Sequence, residues 1–544
     1  MNNVINPNII KNIIIVGGGT SGWLSAAYLS KLLQDYCQIT LIESSDIGTV
    51  GVGEATLPTL QITFKLLGLS EFDWMTRCNA SFKLGIKFVN WSGSSKPDVF
   101  WHPFGQLKSS PNLGIPISQF WLKNHLQGNT AAFDESCFEH INLCAAQKSP
   151  KSYDSPEYSG NIEYAYHLDA GKLATYLKQR AKSAGVRHIV DNVLDVALDS
   201  RGFISHLITE NHGNQTADFF IDCSGFRGLL INKALQEPFI SYADSLFCDR
   251  AIAISIPYEK GDRYNYNNGG INPYSIATAL SSGWAWNVPL VERSGNGYVY
   301  SSSFMSQEDG ETEFRKHLGE KANDQPAKHI KTRVGRTRNT WAKNCVSIGL
   351  SGGFIEPLES TGIYLVELGL ETLIRHFPDK SFSSLLINNY NRIMRKMYEE
   401  IRDFIVMHYC LTQREDTPFW RTNKYHQFIP DSLQEKLNSW KVMWPIYHGN
   451  IGNLFPDYSY VCILAGMGYF PVQSLPLLGY GEHSQEDKII LKTKSRSEQL
   501  RELLPDHHEY LQQMFVRNFK ASWQSLLAHS SKPMPSSSLS TIVR

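Results

Sequence analysis

The stretch NIIIVGGGTSGWLSAAYLSKLLQDYCQITLIE, residues 12–43, decides the fold. Residues 12–16 are a short, β-branched apolar run, which reads as a buried strand. Gly17, Gly18, Gly19, Thr20, Ser21 and Gly22 make a turn. A helix follows, with Leu24, Ala27, Tyr28 and Leu32 on one face. A second strand at 38–42 ends in Glu43. Gly17, Gly19 and Gly22 fit GxGxxG, and each has a physical task. One makes the tight turn, one lets backbone approach a pyrophosphate, and one lets helix and strand pack closely. The pyrophosphate then rests on the helix N-terminus, where free N–H groups and the dipole favour an anion. Glu43 is placed to bind a ribose hydroxyl and disfavours a 2′-phosphate, so the ligand is FAD or NAD rather than NADP.

Two further glycine-bearing segments favour FAD. They are Gly51-Val52-Gly53-Glu54-Ala55-Thr56 and the run from Gly349 to Gly353. Glycines let backbone approach a cofactor closely, though either segment alone could be an ordinary turn. The second runs into FIEPLESTGIY, which sets Glu356 and Glu359 near a helix start. A carboxylate there can satisfy free N–H groups or, in a cleft, act as a base or charge stabiliser, and spacing leaves both open. Lys83 lies in the mostly apolar ASFKLGIKFVNW. On a solvated strand face it is inert; desolvated, it becomes a donor or nucleophile.

The chain has 544 residues, 42% hydrophobic and 19% charged, enough for a large core. Lys+Arg and Asp+Glu are each 52, so no net charge drives it toward nucleic acid or an anionic membrane. Aromatics are abundant, with 12 Trp, 25 Tyr and 27 Phe, and could serve either core packing or the walls of a flat-ligand pocket. Nine cysteines occur without CxxC spacing, so no metal site is expected and free thiols in a reducing compartment are. The start lacks a signal-peptide pattern, and the apolar runs are shorter than a membrane span, so a soluble, cytoplasmic protein is expected.

The pattern predicts an α/β chain. Residues 91–112 and 145–160 read as loops, 169–184 as a helix, and 186–222 as a β-meander. Strands are expected at 251–256 and 297–303, and helices from Thr361 onward, including a long one at 384–411. Its Ile393, Met394, Met397, Ile401, Phe404, Ile405 and His408 recur at helical spacing, as core residues do. The expected organisation is a Rossmann-like FAD-binding core at 1–380 carrying inserted substrate-pocket segments. A mainly helical substrate-covering module at 381–529 and a disordered Ser/Pro-rich tail at 530–544 complete it.

These residues carry a resemblance. From Gly17 to about Gly468 the chain is similar to the flavin-dependent tryptophan halogenases. The shared features are GGGTSGW at 17–23, GVGEATLP at 51–58, GWAWNVP at 283–289 and FIEPLESTG at 354–362. The third is close to the WxWxIP pattern, with Val288 in place of Ile. The fourth contains Fx(2)Px(2)SxG as Phe354, Pro357, Ser360 and Gly362. The resemblance implies that FADH2 from a separate NAD(P)H-flavin reductase, O2 and chloride or bromide give hypohalous acid. This passes through the interior to a second pocket, where an electron-rich aromatic (tryptophan, indole or related) is halogenated.

It implies Lys83 as the residue that activates the oxidant and Glu359 as the one that stabilises or deprotonates the ring intermediate, with Ser360 between them. The halide lies at Thr361 and Gly362. The flavin is held by Ala55, Val193, Leu350 and Ile363 together with the glycine turn and Glu43. His102, Phe104 and Phe455 bound the substrate, and Trp284 and Trp286 keep it from the flavin. A homodimer is also implied. The segment WPIYHGNIGNLFPDYSYVCILAGMG, residues 444–468, departs from the family where Phe455 is followed by Pro456 rather than Trp, which puts free tryptophan as the substrate in question. An FAD aromatic hydroxylase and a flavin-binding scaffold without catalysis are the competing functions.

Overall fold

The computed structural model describes residues 8–33, 35–48, 53–93, 98–111, 113–259, 271–446, 454–480 and 484–516. Gly51 and Val52, residues 447–453 of the C-terminal wall segment and the tail at 530–544 lie outside the described residues.

The strand Asn12–Val16 is the centre of the first sheet. In order, that sheet runs Trp341–Ala342, Cys345–Ser347, Phe219–Asp222, Asn12–Val16, Gln38–Glu43 and Arg187–Val190, parallel except at its Trp341 edge. Alternate residues of Asn12–Val16 feed opposite faces. Ile13 and Ile15 join the main core, while Ile14 and Val16 join a second cluster with Ile42, Ile189 and Phe220. A strand buried on both faces needs an unbroken apolar run, and IIIV supplies it. The helix Thr20–Leu33 covers one face with Leu24, Ala27 and Tyr28.

The expected meander at 186–222 is corrected. Its first and last strands, Arg187–Val190 and Phe219–Asp222, belong to the parallel sheet, and only Val193–Leu198, Ile204–Thr209 and Gly213–Thr216 form an antiparallel three-strand sheet. Local alternation cannot distinguish a hairpin partner from a distant parallel one.

A seven-stranded mixed sheet packs alongside. Its order is Ala327–Lys331, Arg250–Pro257, Arg293–Tyr300, Gly283–Pro289, Ser275–Ala279, Gly85–Val89 and Val99–Pro103. The last strand corrects the reading of 91–112 as loop: Val99–Pro103 pairs antiparallel with Gly85–Val89. The strand Gly283–Pro289 places Trp286 across from Gly297, where a side chain would overlap the indole. A three-stranded sheet of Glu54–Ala55, Ala165–Leu168 and Ser81–Lys83 sets Lys83 in the interior.

The helix Gly362–Arg375 packs against Thr20–Leu33, and the 27-residue helix Ser384–Cys410 follows. Shorter helices, including Asp457–Gly466, and a terminal one at Ser484–Leu503 complete the C-terminal part. One hydrophobic cluster reaches from Ile10 to Met514. No helix among the described residues is long and apolar enough to cross a membrane, and the described cysteines form no disulfide.

Gly17 has φ of +117°, and a Cβ there would overlap the Cys223 carbonyl. Gly17→Ala is therefore expected to destabilise the fold by about 1–3 kcal/mol. A thermal melt checks this; an unchanged Tm would contradict the tight seat of the turn.

Candidate active site

The glycine turn opens onto a cavity of about 450 Å³. Gly17, Gly18, Gly19, Thr20, Ser21, Glu43, Ala55, Val193, Leu350, Gly362 and Ile363 line it, as do Trp284, Trp286 and Ser360. The three motif glycines divide their tasks. Gly17 packs on the Cys223 backbone, Gly22 lies against the Gly17 carbonyl behind the cavity, and at Gly19 an added Cβ would meet nothing within 4 Å. Bare backbone facing open space at a helix start is what a pyrophosphate needs. Glu43 is held in place by Lys178 (2.7 Å), His188 (2.8 Å) and the Trp23 indole N–H (3.3 Å). These residues fit a bound FAD.

The segment Phe354 to Gly362 forms one side of this cavity and reaches a buried cluster around Lys83 and Glu359. Pro357–Glu359 is a single tight turn, and Ser360 follows at φ +60°. That left-handed conformation costs a non-glycine residue about 1 kcal/mol or more. It aims the Ser360 hydroxyl at Lys83, whose Nζ donates to it at 2.8 Å and lies 3.4 Å from the Thr56 carbonyl. Lys83 is fully buried, with its ammonium 5.2 Å from the centre of the Phe104 ring. Burial pushes its pKa down to about 7, against the pull of Glu359.

The two motif glutamates are separated in role by their partners. Glu356 is buried and accepts from the Trp284 indole (2.9 Å) and the Tyr409 hydroxyl (2.6 Å) on one oxygen. Burial lifts its pKa to about 7 in spite of those donors. Glu359 is equally buried, but His102 Nδ1 lies 2.8 Å from Oε2 and His408 Nε2 lies 2.9 Å from Oε1. Burial alone would raise its pKa; His102 first, then His408, outweigh that and hold it at about 2. No ion pair joins Lys83 to Glu359 among the described residues, so each keeps its own partners.

The structure thus brings Lys83, Glu359, Ser360, His102 and Phe104 together. The flavin-side residues surround the neighbouring cavity. Buried Thr361 directly precedes the helix that starts at Gly362. Phe455 sits one ring back, stacked on Phe404 at 3.9 Å. Phe404 is edge-on to both His102 (6.0 Å) and His408 (5.2 Å), so it lies at the margin of the site as well as in the core. Ser459, 2.9 Å from His102 Nε2, and His408 are the members that sequence reading missed. An imidazole at the end of an otherwise apolar helix stripe was the available signal for His408.

A dinucleotide-binding flavoprotein fold with a buried lysine and glutamate beside its cavity, joined to it through Ser360, is the class defined by these features. The tryptophan halogenase family profile matches residues 12–482. A 7-chloro-L-tryptophan 6-halogenase of Kutzneria sp. (strain 744) is 41% identical over 92% of this chain and 99% of its own length. A tryptophan 7-halogenase of Lentzea aerocolonigenes is 40% identical over 93% and 99%. The solved structure of the tryptophan C-6 flavin-dependent halogenase (chlorinase) from taromycin biosynthesis superposes with a TM-score of 0.85, at 42% identity over 93% of this chain and 99% of that one. The chain belongs to the tryptophan halogenase family and is a flavin-dependent halogenase.

A buried lysine with a depressed pKa has a definite stability signature. Between about pH 7 and 10.5 the unfolded chain binds a proton at Lys83 that the folded chain has released, so stability rises with pH across that window. Lys83→Met is expected to remove this rise and to stabilise the protein at pH 7 by on the order of 1 kcal/mol or more. Thermal melts of both proteins from pH 6 to 10 check it; parallel curves would contradict the desolvation of Lys83.

Proposed function

We propose that this enzyme makes hypohalous acid from O2 and chloride or bromide in the flavin cavity and uses it at Lys83 to halogenate an electron-rich aromatic of the indole class, free or substituted. The observation that carries the reading is Ser360: it lines the flavin cavity and hydrogen-bonds Lys83 at 2.8 Å, joining the two sites through one side chain. When bound, FADH2 delivered by a separate NAD(P)H-dependent reductase would supply the two electrons that bring O2 to the peroxide level, at which oxygen oxidises the halide. Gly17 to Ser21 and Glu43 would hold the dinucleotide, with Gly22 packed behind them, and Ala55, Val193, Leu350 and Ile363 would flank it. Gly362 lines the cavity at the start of a helix whose N–H groups favour an anion there, with buried Thr361, itself off the cavity lining, at its N-cap.

Lys83 then donates a hydrogen bond to the oxidant and orients its halogen. The dry surroundings matter, because a hypohalous acid free in water attacks without selectivity. Glu359 lends negative charge to the cationic ring intermediate. His102 and Phe104 border the ring, with Phe455 and Phe404 behind them. Trp284 and Trp286, on the cavity wall, keep the ring from the flavin. That separation favours halogenation over direct hydroxylation, which needs the ring beside the cofactor. Relatives named for tryptophan support the indole class. Pro456, rather than Trp, follows Phe455 ahead of the helix carrying Tyr458 and Ser459, and that departure from the family pattern is why substituted indoles are included beside free tryptophan.

Incubation with FAD, a flavin reductase, NADH, halide and a panel of aromatics, read by mass spectrometry, tests the reading. A halogen isotope pattern is expected; a gain of one oxygen would support the hydroxylase instead. Lys83→Ala and Glu359→Gln are each expected to lower halogenation by at least about 10²-fold while flavin oxidation continues. Halogenation at the parent rate by either variant would remove that residue from the mechanism.

A further inference from the structure

We propose that Glu356 is a positioning residue that ties the tryptophan wall of the flavin cavity to the helix beside Glu359, an inference that rests on the flavin and lysine–glutamate reading above. Glu356, Trp284 and Tyr409 are all buried, and neither Glu356 nor Tyr409 lines the cavity. One carboxyl oxygen of Glu356, Oε2, lies 2.9 Å from the Trp284 indole nitrogen and 2.6 Å from the Tyr409 hydroxyl. An indole N–H can only donate, so this oxygen is its acceptor whether or not the carboxyl is ionised. The Tyr409 contact holds whichever of its two oxygens carries the proton between them. The tie is therefore independent of protonation state.

Each partner comes from a different element. Trp284 stands on the strand Gly283–Pro289, paired between Ala279 and Val299, and lines the cavity. Tyr409 stands near the end of the helix Ser384–Cys410, directly after His408, whose Nε2 lies 2.9 Å from Glu359. Glu356 precedes, and Glu359 ends, the tight turn Pro357–Glu359. Two consecutive helix residues thus meet the two carboxyl groups of one turn. Successive side chains on a helix point about 100° apart, so the two contacts fix the helix against the turn in rotation as well as position. The Trp284 N–H brings in the third element, on the same oxygen as Tyr409.

The other oxygen, Oε1, is buried with no hydrogen-bond partner among the described residues. Leaving a buried polar atom so costs stability, and an apolar side chain would fill the space without that cost. What the carboxyl group adds is the shared acceptor. Trp286, 6.1 Å from Trp284 ring to ring, is fixed by other means: its indole lies over Gly297, where a Cβ would overlap it. Trp91 at 5.5 Å and Trp420 at 6.0 Å hold the Tyr409 ring. One ring of the wall is thus seated on backbone and the other is held by Glu356. A shift of Trp284 is felt at Tyr409, and through the helix at the His408–Glu359 contact.

The test uses the full-length protein labelled with 5-fluorotryptophan, with Trp284→Phe to assign the 19F signal, and measures FAD affinity by fluorescence titration. Glu356→Leu and Tyr409→Phe are each expected to move the Trp284 signal and to weaken FAD binding by about 3- to 10-fold, although neither residue lines the cavity. Glu356→Gln keeps one acceptor oxygen and is expected to hold the signal in place and FAD affinity within about 2-fold of the parent. In a Trp284→Phe background, Glu356→Leu is expected to weaken FAD binding no further, because both act through one ring. Halogenation kcat is expected to fall about 10-fold in Glu356→Leu and to recover in Glu356→Gln. An unmoved Trp284 signal in Glu356→Leu or Tyr409→Phe, a Gln variant as impaired as the Leu variant, a Leu variant with the parent kcat, or additive losses with Trp284→Phe overturns the proposal. If Glu356→Leu does not fold, Tyr409→Phe and Glu356→Gln decide it. Failure of the parent enzyme to halogenate any aromatic would instead overturn the proposed function, and the 19F signal and FAD affinities would still decide whether Glu356 holds Trp284.

Discussion

A lysine and a glutamate buried in one cluster without pairing with each other set the terms for this structure. A direct Lys83–Glu359 ion pair would satisfy both groups and leave neither for chemistry, since a buried pair is bound chiefly to itself. The fold instead gives each its own partners. Lys83 rests on the Ser360 hydroxyl and the Thr56 carbonyl, and Glu359 lies between two imidazoles. Each partner comes from a different element, so the small sheet carrying Lys83, the sheet edge carrying His102 and the long helix carrying His408 must all converge.

The turn from Glu356 to Gly362 is where these demands meet. Within seven residues it binds Trp284 and Tyr409, accepts from two histidines, receives the Lys83 ammonium and opens a helix toward the flavin cavity. The left-handed Ser360 turns the chain so that its hydroxyl faces Lys83 only two residues before the helix that starts at Gly362 on the cavity lining. Its cost is small against the hydrogen bonds that hold it.

Legibility followed the range of the physics involved. The glycine turn, its strand and helix, and Glu43 were readable because turn, pyrophosphate cradle and close packing are all encoded within about 20–30 residues. Lys83 was visible as a lysine in an apolar strand, but its burial depends on strands 54–55 and 165–168, which no local pattern links to it. The strand Val99–Pro103 was hidden in a segment rich in Ser, Gly and Pro, since the pairing that makes it a strand comes from Gly85–Val89. The resemblance supplied His102 as a ring wall. The geometry adds that its nitrogens are committed to Glu359 and Ser459, contacts spanning 257 and 357 residues.

The aromatic excess can be divided by the same reasoning. Trp74, Phe82, Tyr164 and Tyr166 pack against one another, and Tyr164 and Tyr166 donate to Glu71 of the buried Lys151–Glu71 pair, away from the Lys83 cluster. Phe88, Trp91, Phe104 and Phe404 are just as buried but enclose the charged groups, and Trp284 spends its N–H on Glu356 while its ring lines the flavin cavity. Apolar rings are the right material for such walls. They keep out the water that would screen Glu359 and react with the oxidant, and they offer no competing hydrogen bonds to the imidazoles. On the proposed reading, the polar groups fix where chemistry occurs, and the rings enclose them in apolar surroundings.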